Sequence, residues 1–157
     1  MTQDPTPRTI ARIEASFGAQ GLMRHLGATI AAIRSGEVVL HLPYRAELTQ
    51  QMGYFHAGGT SALADTAGGY AALTLFPEGH EVLTTEFKLN LLNPARGERL
   101  EAVGRVLKPG RTLTVCQLDV FAVEGEARTH VATGLQTLIC IAARPSSGRP
   151  AQATPPS

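Results

Sequence analysis

Phe55-His56-Ala57-Gly58-Gly59-Thr60-Ser61-Ala62-Leu63-Ala64-Asp65-Thr66-Ala67-Gly68-Gly69-Tyr70-Ala71-Ala72 reads as a helix of small and apolar residues interrupted by one carboxylate. From Leu48 to Pro77, thirty residues, Asp65 is the only Asp, Glu, Lys or Arg. A carboxylate isolated in this way must be paired, be neutralised, or do chemistry. No basic residue lies near it in sequence to pair it, so a working carboxylate is a serious reading. The competing one is a structural acid that accepts hydrogen bonds from Thr or backbone groups.

The pattern predicts a helix from about His56 to Phe76, stopped by Pro77 with Gly79 beyond. Intrinsic propensity would not hold a helix containing Gly58, Gly59, Gly68 and Gly69. It must therefore lie close against a large sheet, with its glycines at positions of near approach. A membrane span is excluded by Asp65, His56, three Thr, one Ser and four Gly in the same segment.

Around this helix the chain reads mostly as strands. Arg8–Leu26 has helical spacing and is expected to break near Gly18 and Gly21. Ala28–Ile33 and Val38–Leu42 form a hairpin through Arg34-Ser35-Gly36-Glu37, and Leu48–Phe55 reads as a loop. After the helix, Thr85, Phe87, Leu89 and Leu91 alternate with polar residues, as do Leu100, Ala102 and Val106. Two more strands follow, Thr112–Val123, with a bulge expected near Cys116-Gln117, and Arg128–Ala142. Lys108-Pro109-Gly110-Arg111 carries type II turn chemistry between strands. Short hairpin-type turns throughout the last four strands imply antiparallel pairing. The class is α+β, a long central helix wrapped by a curved antiparallel sheet of about six strands.

With 157 residues the chain suits one domain, expected over 8–143, with tails at 1–7 and 144–157 too polar and Pro-rich to order. The net charge of +1 points to neither nucleic acid nor an anionic membrane as partner. Met1–Thr9 is no secretory signal, so a cytoplasmic location is expected, with Cys116 and Cys140 as free buried thiols. His25, His41, His56, His80 and His130 show no metal-ligand spacing, and no cofactor is expected. A Gly-x-Ser-x-Gly elbow is absent, and the Gly-rich helix entry lacks the Lys-Ser/Thr of a phosphate loop.

Gln50–Gly59 followed by Leu63–Ala72 resembles the hotdog-fold acyl-CoA thioesterases of the phenylacetate-degradation, PaaI-like, group. Their helix opens with a His-Gly-Gly type motif, and a catalytic Asp or Glu follows about two turns on. Thr85–Asn90, Asn93-Pro94-Ala95, Gly97-Glu98 and Gly110-Arg111 extend the likeness over roughly residues 20–140. Ala57 replaces the first Gly of the motif, leaving Gly58 as the match to the second. Gly69 stands where some relatives carry Ser or Thr.

The resemblance implies hydrolysis of an acyl-CoA thioester by Asp65 as general base or nucleophile. Gly58 N–H at the helix start would polarise the carbonyl, and Gln50 would contact the thioester or attacking water. His56 is expected to cap the helix entry or orient the loop at the site, with action as a base the competing reading. Gly59, Thr66, Lys108, Gly110 and Arg111 are the candidate substrate and CoA contacts, with Lys88 and Arg105 adding positive charge for the phosphates. Seven residues separate Gly58 from Asp65, about 10.5 Å along a helix axis. One carbonyl cannot meet both within about 3–3.5 Å. Antiparallel helices in a homodimer can bring Gly58 of one chain beside Asp65 of the other, giving two composite sites, with a dimer of dimers as the larger assembly. Two other readings compete: a non-catalytic acyl-CoA-binding protein, and a hotdog acyl-CoA hydratase or dehydratase.

Overall fold

Gly104 is the position that seats the central helix on the sheet. A Cβ there would lie 2.4 Å from backbone atoms of Ala67 and Gly68, so helix and strand touch main chain to main chain. The computed structural model describes residues 4–143. Helices α1 (Pro7–Ala19) and α2 (Gly21–Leu26) lead into strands β1 (Thr29–Arg34) and β2 (Glu37–Pro43). A 3-10 turn (Ala46–Leu48) precedes α3 (Ala57–Leu73). Strands β3 (His80–Leu91), β4 (Arg99–Lys108), β5 (Leu113–Glu124) and β6 (Ala127–Ala142) complete the chain. All neighbours pair antiparallel in one six-stranded sheet, ordered β1-β2-β4-β5-β6-β3.

The core lies between α3 and the inner face of the sheet, where Leu40, Leu42, Leu100, Leu118, Val120 and Leu138 meet Leu63, Ala67 and Ala71. Period-2 alternation on β2 and β5 supplies the inner face. The β1–β2 hairpin turns through Ser35-Gly36 as expected, with Gly36 at φ 75°.

The opening helix breaks at Gln20, whose backbone is extended, between Gly18 and Gly21 as expected. Other expectations are corrected. Thr6 caps α1 through the Thr9 N–H and Pro7 is its first residue, so the N-terminal tail is shorter than residues 1–7. Residues 1–3 and 144–157 lie outside the described residues. Helix α3 ends at Leu73, three residues before Phe76. Strand β3 begins five residues earlier than its alternation suggested.

The β3–β4 connection is no hairpin. Leu92 N–H donates to Val131 O and Glu98 N–H to Val123 O, so the chain crosses the ends of β6 and β5 to reach β4. That crossing makes β3 an edge strand beside β6. Gly110 lacks a positive φ, so its turn is not type II; a Cβ there would instead strike Leu113 O. The register slip expected near Cys116 belongs to the partner strand, where Leu107 is the extra residue, and β5 itself keeps alternating.

On the outer face two carboxylates carry ion pairs. Burial raises the Glu101 carboxyl, but hydrogen bonds and charge from Arg128 and His41 outweigh it and hold it below its usual range. Glu37 is lowered in the same way by Arg105 and Arg34. A carboxylate with a depressed folded pKa stabilises above its unfolded value, and the contribution disappears as pH falls through the folded one. Urea midpoints should therefore hold down to about pH 4.5 and drop below it, with a shallower drop in a Glu37→Gln/Glu101→Gln double variant.

Candidate active site

The start of α3 is built by His56. Its backbone is extended, and its Nδ1 accepts the Gly58 N–H at 2.8 Å, which leaves the imidazole proton on Nε2. Its carbonyl accepts the Gly59 and Thr60 N–H groups at 3.0 and 3.2 Å. His56 is thus the expected cap. The same bond corrects the role expected of Gly58: its N–H is committed to the imidazole. Ala57 N–H is the first-turn donor without an acceptor among the described residues.

Ala57 lines a largely apolar cleft of about 560 Å³ together with Gln50, Met52, Tyr54, Leu91 and Asn93. Gln50 therefore shares a cavity with the helix entry. Its Oε1 accepts the Met52 N–H, and its backbone closes the loop by accepting from Gly53 and donating to Tyr54 O.

Asp65 stands two turns further along α3, in a second, more polar cleft of about 310 Å³. This one is walled by Ser16, Gln20, Thr66, Tyr70, Glu81 and Thr84 among others. Its Oδ1 accepts from Thr84 Oγ1 at 2.7 Å and from Gln136 Nε2 at 2.6 Å. The clefts confirm what helix spacing required: within one chain, the helix start and Asp65 face different cavities.

Tyr70 forms the back of the Asp65 cleft, with Gln20 Nε2 donating to its hydroxyl and Ser16 Oγ 3.1 Å away. Burial pushes the Tyr70 hydroxyl above its usual range. The bonds to Ser16 and Gln20 offset this in part, and Glu81 pushes the same way as burial. A neutral phenol is the result at any physiological pH.

The remaining candidates scatter. Thr66 borders the Asp65 cleft, but its hydroxyl donates to Ala62 O of its own helix. Gly59 faces Leu42 of the sheet. Lys108, Gly110 and Arg111 lie at the exposed β4–β5 turn. At that end of the sheet Val106 N–H donates to Gly36 O and Gly36 N–H to Thr74 Oγ1, just past the end of α3. The turn is thus remote from the start of its own helix. Arg105 is occupied by Glu37. Both cysteines are free thiols; Cys116 is fully buried and burial pushes it up to about 12, while Cys140 is only half-buried.

Thr84, Gln136, Ser16 and Gln20 were missed in the sequence. Thr84 reaches Asp65 because Thr85 is an extra residue in β3, which shifts the alternation. Gln136 had a signal of the same kind as Asp65. It is the polar residue on an otherwise apolar inward row, Ala132, Gly134, Leu138 and Cys140.

The family model described as Thioesterase superfamily matches residues 52–128, which include Ala57 and Asp65. A thioesterase family protein from Silicibacter pomeroyi has a solved structure 43% identical to this chain, with TM-score 0.84 over 86% of this chain and 99% of its own. A Halobacterium salinarum protein, provisionally named an esterase, is 33% identical over 132 residues, 79% of this chain and 87% of its own. The Escherichia coli PaaI protein of the phenylacetic acid degradation operon shares the fold, with TM-score 0.79 at 19% identity, over 88% of this chain and 97% of its own. The long helix, the six-stranded antiparallel sheet and these likenesses together identify the chain as a hotdog-fold member of the thioesterase superfamily, a family of thioester hydrolases.

Proposed function

We propose that the protein hydrolyses acyl-CoA thioesters to free acid and CoA, at sites shared between two copies of the chain. The observation that carries this is the division of labour along α3. The helix start and Asp65 open into separate clefts, and each lacks what the other holds. Between them the least covered stripe of α3 is Gly58, Ser61, Ala62 and Asp65, and beside it Phe87 and Leu91 of edge strand β3 are about half exposed. A second copy packed antiparallel on this face would cover the apolar residues. It would also bring Ala57 of the partner subunit toward Asp65.

In that arrangement the thioester carbonyl oxygen accepts the Ala57 N–H at the positive end of the helix. Gln50, in the same cleft, orients the reacting groups. Asp65 either takes a proton from water as it attacks the carbonyl carbon or attacks directly to form a mixed anhydride that water then opens. CoA thiolate leaves in both cases.

An antiparallel partner also carries the Lys108–Arg111 turn to the other chain's helix start, where cationic groups suit the CoA phosphates. Leu83, Leu107, Leu113 and Leu135 are exposed, and they favour association of two dimers into a tetramer. No helix among the described residues is long and apolar enough to cross a membrane, which suits the cytoplasmic location we propose.

A panel of short, medium, long and aryl acyl-CoA esters tests the reading, with free CoA followed by a thiol reagent against a protein-only blank and mass measured by light scattering. Turnover of at least one member by a dimer or tetramer is expected. Tight binding with no turnover of any member would leave the acyl-CoA-binding alternative; hydration of an enoyl ester would favour the hydratase.

A further inference from the structure

Gln136 is 1% exposed, on the inner face of β6, among apolar neighbours. A buried amide is costly unless it is bonded. Its Nε2 donates to Asp65 Oδ1 at 2.6 Å, to Asp65 O at 3.0 Å and to Thr84 Oγ1 at 3.0 Å. Its Oε1 is equally buried and has no partner among the described residues. Rotating the amide by half a turn would set Oε1 against Asp65 Oδ1 and the Asp65 carbonyl oxygen, neither of which donates, so Asp65 dictates which way the amide faces. Gly68 makes room for it: a Cβ there would lie 1.9 Å from Gln136 Oε1 and 2.6 Å from Leu118 Cδ2.

Thr84 completes the arrangement. Its hydroxyl spends its proton on Asp65 Oδ1 and accepts from Gln136, so both donors end on the same carboxylate oxygen. Asp65 Oδ2 receives no hydrogen bond from the described residues. We infer that Gln136 and Thr84 are positioning residues that clamp Asp65 through Oδ1, fix its rotamer, and leave Oδ2 as the oxygen that takes the proton or attacks. This rests on the thioesterase reading for its catalytic meaning, but the clamp itself can be tested without turnover.

The variants are Gln136→Met, which keeps length and removes the donors, and Thr84→Val, which keeps shape and removes the hydroxyl. Each should lower kcat about tenfold to a hundredfold with KM within about threefold, as expected for a misplaced reacting group in a site that still binds. Thr84→Ser restores the hydroxyl and should recover kcat to within about threefold of wild type. Thermal unfolding screens out a variant that has lost its fold, and the other variant then stands. Side-chain amide NMR gives the second readout. In wild type the Gln136 amide protons should be shifted downfield and slow to exchange, and Asp65→Ala should abolish both. Ordinary amide shifts unaffected by Asp65→Ala would overturn the clamp, as would folded Gln136→Met and Thr84→Val enzymes with kcat within twofold of wild type. If wild type hydrolyses no thioester, the thioesterase reading fails separately and the NMR result alone decides the clamp.

Discussion

Asp65→Asn should reduce kcat on any acyl-CoA substrate by at least about a hundredfold while leaving fold and assembly intact. The substitution is close to isosteric, and the carboxamide oxygen can still accept from Thr84 and Gln136 in place of Oδ1. What is lost is the second oxygen, replaced by an amino group that can neither take a proton from water nor attack a carbonyl. General bases contribute about 10²–10⁴-fold, and removal of a nucleophile costs at least as much. The comparison is kcat/KM for both proteins on the best ester of the panel, with circular dichroism and light scattering on the same samples. An Asp65→Asn enzyme within tenfold of wild type would assign Asp65 to structure alone. Turnover in ¹⁸O-water tests the nucleophilic route: label in Asp65 after several cycles requires an anhydride that water opens at the Asp65 carbonyl, which a general base never forms.

Gly104→Ala should destabilise the fold markedly. Its new methyl would lie 2.4 Å from Ala67 C, Ala67 O and Gly68 N, and none of these is the end of a flexible side chain. Helix α3 would have to lift from β4, opening the packed layer on both sides. Overpacking of a close-packed interior costs about 1–3 kcal/mol and more where backbone must move, so about 3 kcal/mol is expected. For a chain of this size that lowers Tm by about 6–12 °C, read by calorimetry. Gly18→Ala is the matched control. Gly18 lies in α1 with nothing within 4 Å of its Cβ position, so alanine should be neutral or stabilise by up to about 1 kcal/mol. A Gly104→Ala protein as stable as wild type would remove the close helix–strand contact from the account. Because Ala67 is two residues from Asp65, the same substitution should also lower kcat.

Asp65, the helix that carries it and the pairing of β1 with β2 were all legible in the residues. Asp65 stood out because a lone charge in an apolar run has few explanations. The helix stood out because its glycines made sense only against a sheet. His56 was readable as a cap from its place at the helix entry. Gly58 was misjudged because its N–H looked free in a list of residues, whereas the imidazole two positions earlier folds back onto it. The Lys108–Arg111 turn was misread as type II because Pro-Gly favours φ above zero locally, yet Gly110 is required by the approach of Leu113 O.

By itself the sequence determined the fold class, the long helix and the acid on it, since these follow from local periodicity, turn chemistry and the isolation of one charge. Tertiary structure alone decided that β3 lies at the far edge beside β6, that Thr84 faces the helix, and that Gln136, 71 residues from Asp65, holds it. The first depends on a loop crossing two strand ends and the second on one extra residue in β3. The third needs two distant segments to pack at 2.6 Å. None leaves a mark on local pattern, because strand order and side-chain contact are properties of the assembled sheet and not of any one segment.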